Sequence, residues 1–203
     1  MEFPLIIDNN PKKTEKLNEY EIFLANKQFP SENTYLVNID DDIVEAKQYR
    51  EIIAKLLRAS SKDIFIIHIT SWGGLLSTAT LLIDALLSTK ARTKAVIHTA
   101  ASAATLIAFA CDEVEVSDTA TVMLHNFSVV QQGKGSEVRA KSEFDERMFK
   151  ALCEKLYQGI LTDTEINKLQ DDTDIWMLGS ELKGRMLNLA WKPVRGRVDA
   201  TDC

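Results

Sequence analysis

The sequence predicts an α/β domain, and three observations carry that expectation. Strand-like segments alternate with segments whose apolar residues recur every three to four positions, three times in succession, over 34–57, 64–87 and 94–110. The run Ile64-Phe65-Ile66-Ile67-His68-Ile69 is almost wholly apolar, as befits a strand covered on both faces in a parallel sheet. The chain has 203 residues, 45% hydrophobic and 27% charged, enough to bury one large core, and no linker or internal repeat divides it. Right-handed crossovers then follow from the strand–helix repeats.

The elements read in order as follows. Residues 1–33 are polar and mixed in charge and form an amino-terminal arm, with a turn of structure near 20–24. Residues 34–39 make the first strand, and Asp40, Asp41 and Asp42 offer N-caps for a helix with Ile43, Ala46, Tyr49, Ile53, Leu56 and Leu57 on its apolar face. Ser60 and Ser61 break it, and the second strand covers 64–69. Trp72-Gly73-Gly74 turns the chain into a helix bearing Leu75, Ala79, Leu82, Ile83, Leu86 and Leu87. A strand over 94–98 then passes through small residues into an Ala-rich helix over 102–110. Two short strands follow at 113–116 and 121–124, with a further one at 127–131. After a Gly133-Lys134-Gly135 turn, 137–157 is a long charged helix with apolar points at Val138, Phe144, Met148, Leu152 and Leu156. So narrow a stripe suits a helix that projects or packs on another subunit. Thr162 to Glu165 has the form of a capping box. Trp176-Met177-Leu178 and a strand over 187–191 close a domain spanning 34–191, and 192–203 is a polar, mobile tail.

Composition excludes several functions. A net charge of −6, with no dominant basic patch, argues against nucleic-acid binding. Cys111, Cys153 and Cys203 are too few and too scattered for a disulfide framework, and they suit a reducing compartment. The first residues lack a signal peptide, and the longest apolar stretch, 100–111, is too short to span a bilayer, so the expected location is cytoplasmic, with no membrane partner. The three histidines, His68, His98 and His125, have no metal-ligand spacing, so neither a metal nor another cofactor is called for. There is no G-x-x-x-x-G-K, hence no P-loop for ATP.

Chemistry gathers at strand ends. Ser102 stands where a turn becomes a helix; alone it reads as an N-cap, but there a hydroxyl also sits beside free N–H donors for an oxyanion. His125 follows the strand 121–124 and opens a loop, the usual place for a functional group in α/β folds. A serine nucleophile needs such an imidazole to take its proton, and a carboxylate to orient the imidazole.

Four segments, in order and at fitting distances, resemble the proteolytic subunit of the Clp protease. Ser71-Trp72-Gly73-Gly74 is similar to its diglycine loop and Ala100-Ala101-Ser102-Ala103-Ala104 to its nucleophile segment. Val122-Met123-Leu124-His125-Asn126 is similar to its histidine segment and Asp174-Ile175-Trp176-Met177 to its aspartate segment. The Gly-containing turn and helix at 133–158 match its handle, and the resemblance covers about 34–191. The chain departs from the family at Trp72, where a proline is usual, at His98-Thr99 in place of a glycine, and at Asn126-Phe127, where a proline is common. The arm does not match.

The resemblance implies a spiral of βαβ units with a projecting handle helix, and a serine endopeptidase acting through an acyl-enzyme inside a double seven-membered ring. It implies Ser102 as nucleophile, His125 as general base and Asp174 as its orienting carboxylate, chosen over the competing Asp171 and Asp172 because Trp176-Met177-Leu178 and Glu181 keep the family's register. The N–H groups of Gly74 and Ala103 would form the oxyanion hole. Substrates would be peptides or proteins, delivered by a separate AAA+ unfoldase. The alternatives are a ring subunit or scaffold with weak or no catalysis, and a virus-type processing peptidase working without an ATPase. A crotonase-type acyl-CoA enzyme shares the related spiral fold but is disfavoured by the motif positions.

Overall fold

In the computed structural model, which describes residues 7–8, 33–127 and 133–196, six strands form one sheet in chain order. Strand β1 (Ile7–Asp8) pairs antiparallel with β2 (Thr34–Ile39); β2, β3 (Ile64–Ser71), β4 (Arg92–Ala101) and β5 (Glu113–Leu124) run parallel; β6 (Ile175–Leu178) returns antiparallel on β5. Helices α1 (Arg50–Arg58), α2 (Leu76–Ser88) and α3 (Ala103–Phe109) make the crossovers. Because the strand order never reverses, right-handed crossovers put all three helices on one face, which gives the spiral its sense. The core lies between them and the sheet, around Phe65, Ile67, Ile97, Leu82 and Leu86. The long helix α4 (Gly135–Leu156), the short α5 (Asp163–Gln170) and α6 (Gly179–Asn188) complete the fold.

Several sequence expectations are corrected. Asp40–Asp42 do not start a helix: the chain first forms a bridge at Ile43, then a 3₁₀ turn at Ala46–Tyr49, and α1 begins at Arg50. Ile43 is held by the diglycine loop, donating its N–H to Gly73 O at 2.7 Å and accepting from Leu75 N–H at 2.7 Å, so its φ/ψ is extended rather than helical. Leu57, expected on the apolar face of that helix, is exposed. Strand β4 runs on through Thr99, Ala100 and Ala101, which the small side chains had marked as a turn. Those alanines are fully buried because α3 packs close behind them.

The two short strands are one, β5, but its pairing with β4 steps from Ile97↔Val116 to Thr99↔Thr121. The polar Ser117-Asp118-Thr119 stretch marks that skipped register, not a chain reversal. The strand expected at 187–191 is instead the end of α6 and its exit: Glu181 accepts the Leu178 N–H at 2.7 Å and starts the helix, and Ala190 leaves it at φ 51°. On α4 the buried face is Asp145, Phe149, Cys153 and Leu156, while Phe144 is exposed. The strand expected at 127–131 falls mostly outside the described residues, and Phe127 itself is not in a strand; the turn near 20–24 lies outside them too. The capping box holds, with Thr162 N–H donating to Glu165 Oε2 at 2.9 Å and Glu165 N–H to Thr162 Oγ1 at 3.3 Å.

The start of the expected tail is not loose. Val194 is buried, and Arg195 binds Asp112 with two nitrogens and donates to the carbonyls of Thr89 and Ala91. This guanidinium fork ties 194–196 to the loop before β4 and the loop after α3.

Candidate active site

Ser102 occupies the turn between β4 and α3 with φ 54° and ψ −127°, a conformation that costs a non-glycine residue on the order of 1–3 kcal/mol. Hydrogen bonds on both sides hold it there. Its N–H donates to Met123 O at 2.9 Å, which ties it to β5. Its carbonyl accepts from Thr105 N–H at 3.0 Å and from Thr105 Oγ1 at 2.6 Å. Because that hydroxyl proton is spent on Ser102, the 2.7 Å bond between Thr105 Oγ1 and Tyr157 OH has tyrosine as its donor. Burial pushes the Tyr157 phenol well above its usual range, the nearby Cys153 adds to the rise, and the bond to Thr105 only partly opposes it, so the phenol keeps its proton. Thr105 and Tyr157 are both buried, and neither was singled out from the sequence for this role. Their contact depends on α4 returning to α3, which no local pattern encodes.

The diglycine loop lies against this turn. Gly73 has φ +104°, and a Cβ there would stand 2.7 Å from Ser102 Cβ and 2.8 Å from Ala101 O. Gly74 has φ +145°, and its Cβ would fall 2.3 Å from Ile43 O. Glycine is therefore required twice, once by the serine turn and once by the Ile43 bridge. Ser71 fixes the approach to the loop: its hydroxyl donates to Asp41 O at 2.7 Å and accepts from Gly73 N–H at 3.1 Å. In the bridge to Ile43, Gly73 O and Leu75 N–H are used, and among the described residues no hydrogen bond takes up the Gly74 N–H. The Ala103 N–H, first in its helix, likewise has no acceptor among the described residues, as the first donors of a helix lack one within it. Both residues line a cavity of about 610 Å³ that also holds Ser102 and His125.

His125 sits one residue past β5, and its Nε2 is 2.7 Å from Ser102 Oγ. The pairing of β4 with β5, Ala101↔Met123, brings the two strand ends level and so delivers the side chains to one place. Asp174 stands apart: it is exposed, and among the described residues no hydrogen bond or ion pair joins it to His125. Its backbone is nonetheless well placed. The antiparallel register of β5 and β6 ends at Leu124↔Ile175, so one further step would set Asp174 opposite His125 on the same face. Its rivals differ in position. Asp172, at φ 59°, accepts from Asn126 Nδ2 at 2.8 Å, and Asp171 is the exposed C-cap of α5.

A model of the Clp protease family matches residues 33–184, about three quarters of the chain. The chain belongs to the Clp protease family. The match spans the diglycine loop, the Ser102 turn, His125, α4 and Asp174, and it ends within α6. No curated protein sequence matches the chain. The family's α/β fold is the one described above. His68 is half-buried and stacks on the exposed His98, with ring centroids 5.9 Å apart, on strands leading to the site. Among the described residues, no group of three or more His, Cys, Asp or Glu side chains is placed to hold a metal ion, and no helix is long and apolar enough to cross a membrane.

Proposed function

We propose that this Clp protease family member is a serine endopeptidase that hydrolyses peptide bonds through an acyl-enzyme. The observation that carries the reading is the 2.7 Å contact of His125 Nε2 with Ser102 Oγ, made by a serine whose backbone is fixed in a strained turn. In this reading Nε2 takes the hydroxyl proton as Oγ attacks the peptide carbonyl. The negative charge on the tetrahedral oxygen falls to the Gly74 and Ala103 N–H groups, each such donor being worth about 3 kcal/mol in the barrier. Collapse expels the amine with the proton from His125, leaving an ester on Ser102. Water, deprotonated by His125, then releases the acid and restores the hydroxyl. Asp174 would accept a hydrogen bond from the Nδ1–H of His125 once the β5–β6 register extends by one residue, fixing the tautomer that attack requires.

Assembly belongs to the same proposal. The charged helix α4 would join subunits into a double seven-membered ring with the sites facing an enclosed chamber, and a separate AAA+ unfoldase would feed it in the cytoplasm. A second reading, a ring scaffold with weak catalysis, draws on one observation: the exposed Asp174 leaves His125 without its carboxylate. Hydrolysis of fluorogenic peptides, followed together with native mass, separates the two. The peptidase reading expects turnover that Ser102→Ala reduces by about 10⁴-fold or more at unchanged mass. A large, folded assembly that cleaves nothing would establish the scaffold.

A further inference from the structure

The cavity beside Ser102 carries a charge where an apolar wall would be expected. Leu106 and Phe149 are buried in it, and Phe127 and Met148 are half-buried; together they offer a sleeve for a long aliphatic stem. Phe127 and Phe149 are in ring contact at 5.5 Å. Among them stands Asp145, whose side chain is only 8% exposed, on the otherwise apolar inner stripe of α4. A carboxylate there breaks the amphipathic pattern of the helix and must be compensated, since an unpaired buried charge is costly. Lys141 Nζ pairs with it at 2.5 Å, but the Lys141 side chain is 61% exposed and comes from one turn earlier on the same helix. That order, cation before anion, is the weaker one for an i,i+4 pair, and an exposed ammonium returns to water at little cost. Asp145 is packed in place, whereas Lys141 reaches it from the solvent side.

Resting on the peptidase reading above, we propose that this pocket receives the side chain of the residue whose carbonyl is attacked, and that it selects lysine or arginine. The apolar stem fills the sleeve and the cationic tip replaces Lys141 at Asp145, with Lys141 released to solvent. A leucine would fill the sleeve and leave the pair as it is. A glutamate would bring a second carboxylate against Asp145 and is rejected.

The test uses peptides alike except for arginine, leucine or glutamate before the cut bond, with fluorophosphonate labelling of Ser102 run on every protein. The wild type is expected to cleave the arginyl peptide best and the glutamyl peptide worst, by about 100-fold. Asp145→Leu is expected to lower the arginyl-to-leucyl kcat/KM ratio by about 30-fold, and Asp145→Asn, which keeps the shape, to lower it in the same direction. Lys141→Ala removes the competing cation and is expected to raise arginyl cleavage several-fold. Normal labelling with a ratio that ignores both Asp145 variants, a glutamyl preference, or a fall in arginyl cleavage in Lys141→Ala would overturn the pocket assignment alone. Absence of both labelling and cleavage in the wild type would instead remove the peptidase reading, and the assignment with it.

Discussion

The two ends of the candidate triad are built differently. Ser102 and His125 lie at the carboxyl ends of adjacent central strands and are tied by the pairing that makes the sheet. Asp174 leads into β6, a four-residue strand at the sheet edge with one neighbour, and its side chain faces water. The chain by itself organises the serine and the histidine, whereas the carboxylate depends on how the last strand is seated. An edge strand is also where another copy or an extended peptide would add.

This contrast is open to attack at graded points. Gly73→Ala should have the largest effect, because its methyl would collide with Ser102 Cβ and Ala101 O: labelling of Ser102 by a serine probe should fall by about 10³-fold, with circular dichroism showing whether the sheet survives. A folded, fully reactive Gly73→Ala protein would mean that the turn is not held as described. For Asp174→Asn the expectation depends on assembly. In the dissociated chain the labelling rate should change by less than about threefold, since the exposed side chain makes no hydrogen bond or ion pair among the described residues, while in a ring that seats β6 the cost should reach about 100-fold. Equal, small losses in both forms would exclude Asp174 as the third member.

Thr105→Val removes the hydroxyl that bonds the Ser102 carbonyl and leaves the Tyr157 phenol without its acceptor. Labelling should slow by about tenfold, and Thr105→Ser, which restores the hydroxyl, should recover it. Loss of stability without loss of rate would make the pair merely structural.

The smallest effect is on the pH dependence of stability. Burial by itself would raise the Asp63 carboxyl, but the N–H and hydroxyl of Ser60 and the amide of Asn33 outweigh it and hold the group below its ordinary 3.8. Glu165 is likewise held below 4.5: burial would raise it, and the Thr162 cap and Arg185 prevail. A depressed carboxylate favours folding above its unfolded pKa, and that contribution is lost as pH falls through the folded one. Urea midpoints should therefore be flat near neutrality and drop below about pH 4, with a shallower drop in Asp63→Asn.

Much of this was legible before the structure. Continuous apolar runs such as 64–69 identified parallel strands, and the Thr162–Glu165 box marked a helix start, because both signals are local. What escaped was set by distant contacts. Ile43 is extended because Gly73 and Leu75 bond it, Ala100 and Ala101 are strand because α3 covers them, and 187–188 is helix because Glu181 caps it. At the site, Ser102 and His125 could be paired by motif order, whereas the Thr105–Tyr157 brace and the Asp145 carboxylate needed the return of α4 across α3 to become visible.

The measurement that bears most directly on the central claim is the rate of fluorophosphonate labelling of the wild type, Ser102→Ala and His125→Ala, each checked for fold and native mass. The Ser102–His125 pairing predicts one labelled serine in the wild type, none in Ser102→Ala, and a rate at least about 10³-fold lower in His125→Ala. Labelling that persists in Ser102→Ala, or a His125→Ala protein as reactive as the wild type, would contradict it.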